Sequence, residues 1–138
     1  MIICPKHFSF KAHFLKLRQL SSLPDPVKLS FTKFKPFKSE KKQLNPVLIY
    51  HGLFGSKQNW RSLSANISNA TGRVVYAIDL RNHGTSDFSQ EFNYKAMVSD
   101  LLKLMEDELL NQIVLIGHSL GGRVAYQFAF TFVSFIAI

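Results

Sequence analysis

A serine with glycines two residues before and two after it, Gly117-His118-Ser119-Leu120-Gly121, stands between an apolar run and a helical pattern. On so sharp a strand-to-helix turn the hydroxyl projects above the sheet, and the small flanking residues let the backbone pack closely around it. Such a hydroxyl can attack an acyl carbon once a base takes its proton. A helix beginning at Leu120 adds its positive N-terminal end beneath the oxyanion that the attack creates. Ser119 is therefore the candidate nucleophile, with Gly117, His118 and Gly121 shaping its turn.

Two further loops could serve the same chemistry. His51-Gly52-Leu53-Phe54-Gly55 also ends an apolar run and precedes a helical pattern. One backbone N–H from this loop and the N–H of Leu120 can point at one substrate oxygen and form an oxyanion hole. Leu53 is the first choice for that donor and Phe54 the second, with His51 and Gly52 supporting the loop. Asp79-Leu80-Arg81-Asn82-His83-Gly84-Thr85-Ser86 follows another apolar run. Asp79, Arg81 and His83 read as members of a polar network bracing the neighbouring loops, not as catalytic groups.

The elements between these loops must hold them at one edge of a sheet. Val47–Tyr50, Val74–Ile78 and Ile113–Ile116 are apolar throughout, as strands covered on both faces are. Trp60, Leu63, Ile67 and Ala70 follow helical spacing, with Gly72 placed as a C-terminal cap. Tyr94, Met97, Val98, Leu101, Leu104, Met105 and Leu109 do the same behind Asn93, a natural N-cap. A third helix starts at Leu120 and includes Val124, Ala125 and Phe128. Alternation of strand and helix predicts an α/β fold with a mostly parallel sheet and helices on both faces. Upstream, Val27, Leu29 and Phe31 alternate with polar residues and suggest a half-buried strand near the sheet edge. Lys35 to Asn45 reads as a charged turn or loop.

Together these residues resemble the serine α/β-hydrolase family. The stretches His51–Trp60, Asp79–Ser86 and Gly117–Gly122 look like the branch that holds the α/β-hydrolase domain-containing protein 11 type and bacterial esterases of the YbfF kind. The resemblance covers about residues 27–130. It implies hydrolysis of carboxylic esters or related acyl compounds, with Ser119 as nucleophile and Leu53 and Leu120 as oxyanion donors. It implies no metal and no organic cofactor, and its eukaryotic members are mitochondrial. An epoxide hydrolase or dehalogenase on this fold would need Asp at position 119.

In this fold the acid and the histidine of the triad follow the serine along the chain. The 19 residues after Ser119 contain no Asp, Glu or His. His118 should point away from Ser119 at the tight turn, and neither His51 nor His83 is expected to replace the missing base. The chain thus reads as the front part of an α/β-hydrolase domain, residues 27–138, lacking the C-terminal strands. Phe128 to Ile138 is almost wholly apolar, which suggests a truncated form, an alternative transcript or a gene-prediction error. The mostly apolar stretch from Val124, 15 residues, is shorter than the roughly 20 needed to span a bilayer. An outer edge left bare on Ile113–Ile116 would invite self-association or a partner, so the alternative reading is a non-catalytic isoform acting by protein–protein interaction.

Bulk composition agrees with a folded domain and locates the charge. The 138 residues are 46% hydrophobic with one cysteine, Cys4, which cannot form an internal disulfide. All of the net +8 falls in residues 1–44, while residues 45–138 balance to zero. A nucleic-acid-binding face would carry charge on the folded part, so that class is set aside. Residues 1–24 hold Lys6, Lys11, Lys16 and Arg18 with no acid before Asp25. This is the composition of a mitochondrial transit peptide or of a disordered basic tail. The expected partner is a small acyl-ester substrate.

Overall fold

The computed structural model describes residues 22–37 and 44–137. The basic N-terminal stretch, apart from its last three residues, and most of the charged turn after Lys35 lie outside the described residues. Within them stand four strands: β1 (Phe31–Phe34), β2 (Val47–Tyr50), β3 (Val75–Ile78) and β4 (Val114–Gly117). The helices are α1 (Arg61–Thr71), α2 (Tyr94–Asp107) and α3 (Leu120–Thr131), with 3-10 turns at Lys57–Trp60 and Val133–Phe135.

The strand order is β1-β3-β2-β4, with β1 antiparallel and the other pairs parallel. In register, Tyr50 of β2 lies opposite both Ile78 of β3 and Gly117 of β4. The carboxyl ends of three strands therefore align, and the loops at 51–55, 79–86 and 118–120 emerge along one edge. Ligands of open α/β sheets bind at such an edge.

Side chains alternate across the sheet and divide the core in two. Val47, Ile49 and Val75 face α1, where Trp60 and Ile67 pack against them. Leu48, Tyr50, Tyr76 and Ile78 face α2 and α3, joining Met97, Leu101, Met105, Val124 and Phe128. Helices thus cover both faces, as the sequence predicts. Caps also fall where expected. The Asn93 side chain accepts from Ala96 N–H at 2.8 Å, and Gly72 ends α1 with φ 70°.

Three sequence expectations need correction. The first strand is Phe31–Phe34 and not the alternating Val27–Phe31. Residues 27–30 are held by irregular contacts instead: Lys28 O and Ser30 O accept from Asp87 N–H and Asp79 N–H. The buried stripe of α1 includes Ser64 and Ser68, while Leu63 and Ala70 are exposed. Small serines seat this helix on the sheet, and the Ser68 hydroxyl donates to Arg73 O at 2.8 Å. Finally, the outer edge at Ile113–Ile116 is not wholly bare. After α3 the chain turns back, Phe132 and Phe135 bury against Phe128, and Ile136 bridges Ile113 in parallel. Ile113 N–H donates to Phe135 O and Ala137 N–H to Ile113 O, so the edge predicted to be bare is partly paired at its start.

One buried ion pair ties these layers together. Arg81 is fully buried and grips Asp100 of α2 with two bonds, Nε to Oδ2 at 2.7 Å and Nη2 to Oδ1 at 2.8 Å. The guanidinium also donates to Glu91 O and Ala96 O, and Asp100 accepts from Val27 N–H. Removing one partner of such a pair leaves the other charge buried without compensation. Asp100→Asn is expected to cost about 3–5 kcal/mol, read from the midpoint of urea unfolding. A midpoint indistinguishable from wild type would show that the pair does not hold the layers.

Candidate active site

Ser119 caps α3 with φ 52° and ψ −113°, a left-handed backbone that a serine adopts only under strain. The strain is held by close packing on both sides. A methyl group on Gly117 would come within 2.4 Å of Gly121 O, and one on Gly121 within 2.5 Å of Tyr50 O. Gly121 N–H donates to His51 O at 3.1 Å, and His118 N–H donates to Tyr50 O at 3.0 Å. The elbow is thereby pressed against the end of β2. The first amide of α3, on Leu120, makes no hydrogen bond among the described residues.

The loop after β2 is a tight turn closed by Gly55 N–H to Gly52 O at 2.9 Å. Its two central amides, on Leu53 and Phe54, make no hydrogen bond among the described residues. A cleft of about 660 Å³ runs from this turn to the elbow and is lined by Leu53, Phe54, Trp60, Leu63, His118 and Ser119, among others. A smaller hollow of about 390 Å³ opens on the other side of Ser119, beside Tyr94, Arg123 and Tyr126. Free amides, an exposed hydroxyl and an apolar wall therefore share one space.

Two of the histidines near the serine, His51 and His83, are held by the backbone around them. His51 is buried, with Nδ1 donating to Gly52 O at 2.7 Å and Nε2 accepting from Leu80 N–H at 3.0 Å. Burial pushes the His51 ring below its ordinary range, against an opposing effect of the Gly52 bond. His83 faces Arg81 O with Nδ1 at 2.8 Å and Leu53 O with Nε2. The exposed His118 ring turns toward Trp60, with centroids 6.3 Å apart.

Asp79 and Arg81 do not enter the cleft. Asp79 is buried and accepts from Lys57 N–H at 2.6 Å, the Lys57 ammonium at 2.5 Å and Thr85 N–H at 3.0 Å. Lys57 also reaches Ser30 Oγ and Thr85 Oγ1. Lys57, the cation of this cluster, carries no signal in the local sequence pattern. Leu63 lines the cleft together with Trp60, which also packs against the sheet.

Burial would raise the Asp79 carboxyl, but the bonds from Lys57 and Thr85 outweigh it and hold it below its usual value. The unfolded chain then takes up the proton first. The stability Asp79 contributes is complete above about pH 4 and is lost as pH falls through the lower folded value. Asp79→Asn is expected to flatten the acid limb of a stability-versus-pH curve, measured by urea midpoints. An acid limb of unchanged steepness would show that Asp79 does not carry it.

A sequence model described as the alpha/beta hydrolase fold matches residues 45–137. An abhydrolase domain-containing protein of Schizosaccharomyces pombe, C22H12.03, is 44% identical over 100 residues, covering 72% of this chain and 36% of its own length. The sn-1-specific diacylglycerol lipase ABHD11 of Danio rerio is 43% identical over 100 residues, covering 72% of this chain and 30% of its own. Ethanol acetyltransferase 1 of Cyberlindnera fabianii is 38% identical over 113 residues, covering 77% and 34%. Among solved structures, a marine microorganism esterase superposes with a TM-score of 0.71 at 33% identity, covering 80% of this chain and 39% of that one. The chain spans about a third of the length of the curated relatives it matches. It belongs to the α/β-hydrolase family.

Proposed function

We propose that this member of the α/β-hydrolase family is a serine ester hydrolase in which Ser119 forms the acyl-enzyme. The observation that carries the reading is the strained Ser119 at a glycine-packed strand-to-helix turn, opening on a cleft it shares with the free amides of Leu53 and Phe54. Those amides and that of Leu120 supply the oxyanion donors, since a donor already bonded within the protein could not serve. The apolar wall of Trp60 and Leu63 suits an acyl chain.

In the first half-reaction Ser119 Oγ bonds to the acyl carbon, its proton passes to a base, and the leaving alkoxide departs with a proton. In the second, water attacks the acyl carbon and frees the acid. The base is neither His51, which is bonded through both ring nitrogens, nor His83, whose two nitrogens both lie against backbone carbonyls. We assign the base and its orienting acid to sequence outside this chain, following the Ser, acid, His order of the fold. The relatives, more than 100 residues longer than this chain, leave room for both. The basic, acid-free N-terminus supports a mitochondrial location, testable by import into isolated mitochondria.

A second outcome of the same acyl-enzyme is transfer to an alcohol, as the name of the Cyberlindnera fabianii relative implies for that protein. Adding ethanol to the ester assay separates the two, because transfer yields an ethyl ester and hydrolysis a free acid.

The decisive assay is hydrolysis of a short-chain p-nitrophenyl ester alongside labelling by a fluorophosphonate, for this chain and for the longer product of the same gene. Ser119→Ala is expected to abolish labelling and lower kcat roughly 10⁶-fold. Turnover that survives this substitution would overturn the assignment. Labelling of the 138-residue chain itself, dependent on Ser119, would place the base within it.

A further inference from the structure

The turn that carries the free amides has one carbonyl on each side of Leu53, and a different histidine holds each. His51 Nδ1 donates to Gly52 O, while the other nitrogen of that ring takes the Leu80 amide from the loop after β3. His83, itself on that loop, places Nε2 against Leu53 O. The two rings pack together with centroids 5.0 Å apart, and Phe92 backs His83 at 6.1 Å.

The strand order gives this arrangement a direction. β2 lies between β3 and β4, so its turn lies between the His83 loop and the Ser119 elbow. A peptide unit is planar and trans, with its C=O and N–H pointing opposite ways. A carbonyl drawn toward the β3 side therefore turns the amide of the same unit toward the β4 side, where Ser119 stands. His51 does this for the Gly52–Leu53 unit. His83 does it for the Leu53–Phe54 unit and so closes the remaining freedom of Leu53.

We propose that His83 is a positioning residue for the oxyanion hole: its grip on the Leu53 carbonyl holds the turn in the conformation whose amides face Ser119. The proposal rests on the ester-hydrolase reading and adds a residue that acts through the turn without touching substrate. Nothing else among the described residues bonds Leu53 O, and His83 donates to it in the tautomer that carries its proton on Nε2. Leu53 is itself 43% exposed and Phe54 98% exposed, so packing does little to hold the turn.

Three substitutions in the intact enzyme test it. His83→Gln keeps a donor at about the reach of Nε2, toward Leu53. His83→Asn keeps one at the reach of Nδ1, toward Arg81 only. His83→Leu keeps neither. The Leu and Asn variants are expected to lose kcat by roughly 10–100-fold with KM nearly unchanged, because a misaimed oxyanion donor is felt in the transition state. Both should speed amide exchange in the 51–56 peptide, read by mass spectrometry, and Gln should restore both properties. If His83→Leu fails to fold, the Asn and Gln pair, one methylene apart, still makes the comparison. An Asn variant that behaves as wild type would mean that His83 only braces its own loop, and the proposal falls. Equal losses in all three, or unmoved exchange, overturn it as well. A wild type that turns over no ester sinks the hydrolase reading alone, and exchange in the 51–56 peptide still decides the clamp.

Discussion

The site depends on how closely two backbones approach. Gly121 lies against the carbonyls of Tyr50 and His51, with its amide bonded to His51 O and no room for a side chain. This contact sets the first turn of α3 against the end of β2. It therefore fixes the distance between the elbow and the turn that faces it. Had any larger residue stood there, backbone and not side chain would have to move, and close-packed interiors resist that. The same approach presses Gly117 onto Gly121 and Gly122, so three glycines form one surface on which Ser119 is bent into its strained backbone.

Around this contact the polar residues work as braces, and two ion pairs, Arg81–Asp100 and Lys57–Asp79, divide the task. Arg81 and Asp100 join the loop after β3 to α2 and to the entering chain at Val27, wholly out of water. Lys57 and Asp79 join the same loop to the turn ahead of α1 and, through Ser30, to the lead into β1. The loop after β3 thus has anchors on both faces of the sheet. That makes it a firm platform from which His83 can reach across to Leu53.

Much of this was legible in the sequence because it depends on local pattern. The apolar runs at 47–50, 74–78 and 113–116 locate three strands to within a residue, and Asn93 and Gly72 mark helix ends by their own chemistry. What was not legible depends on partners distant along the chain. Asp100 sits inside an apolar helical pattern, and nothing near it announces that it will meet Arg81. Leu63 keeps helical register with Trp60 and Ile67, yet two buried serines rotate α1 so that Leu63 turns to the cleft. The return of the chain at Phe132 to Ile136 was hidden for another reason. A run of phenylalanines has no period by which a helix can be told from a segment folded back on a strand edge.

The left-handed Ser119 also bears on how such a chain persists through mutation. A strained backbone of this kind costs about 1–3 kcal/mol, and glycine would adopt it at far less cost. Drift under selection for folding alone would favour replacing the serine. A lineage that used this domain only as a scaffold would gain robustness by losing its hydroxyl. On the proposed role of Ser119, it is the residue at which selection for stability and selection for chemistry pull in opposite directions.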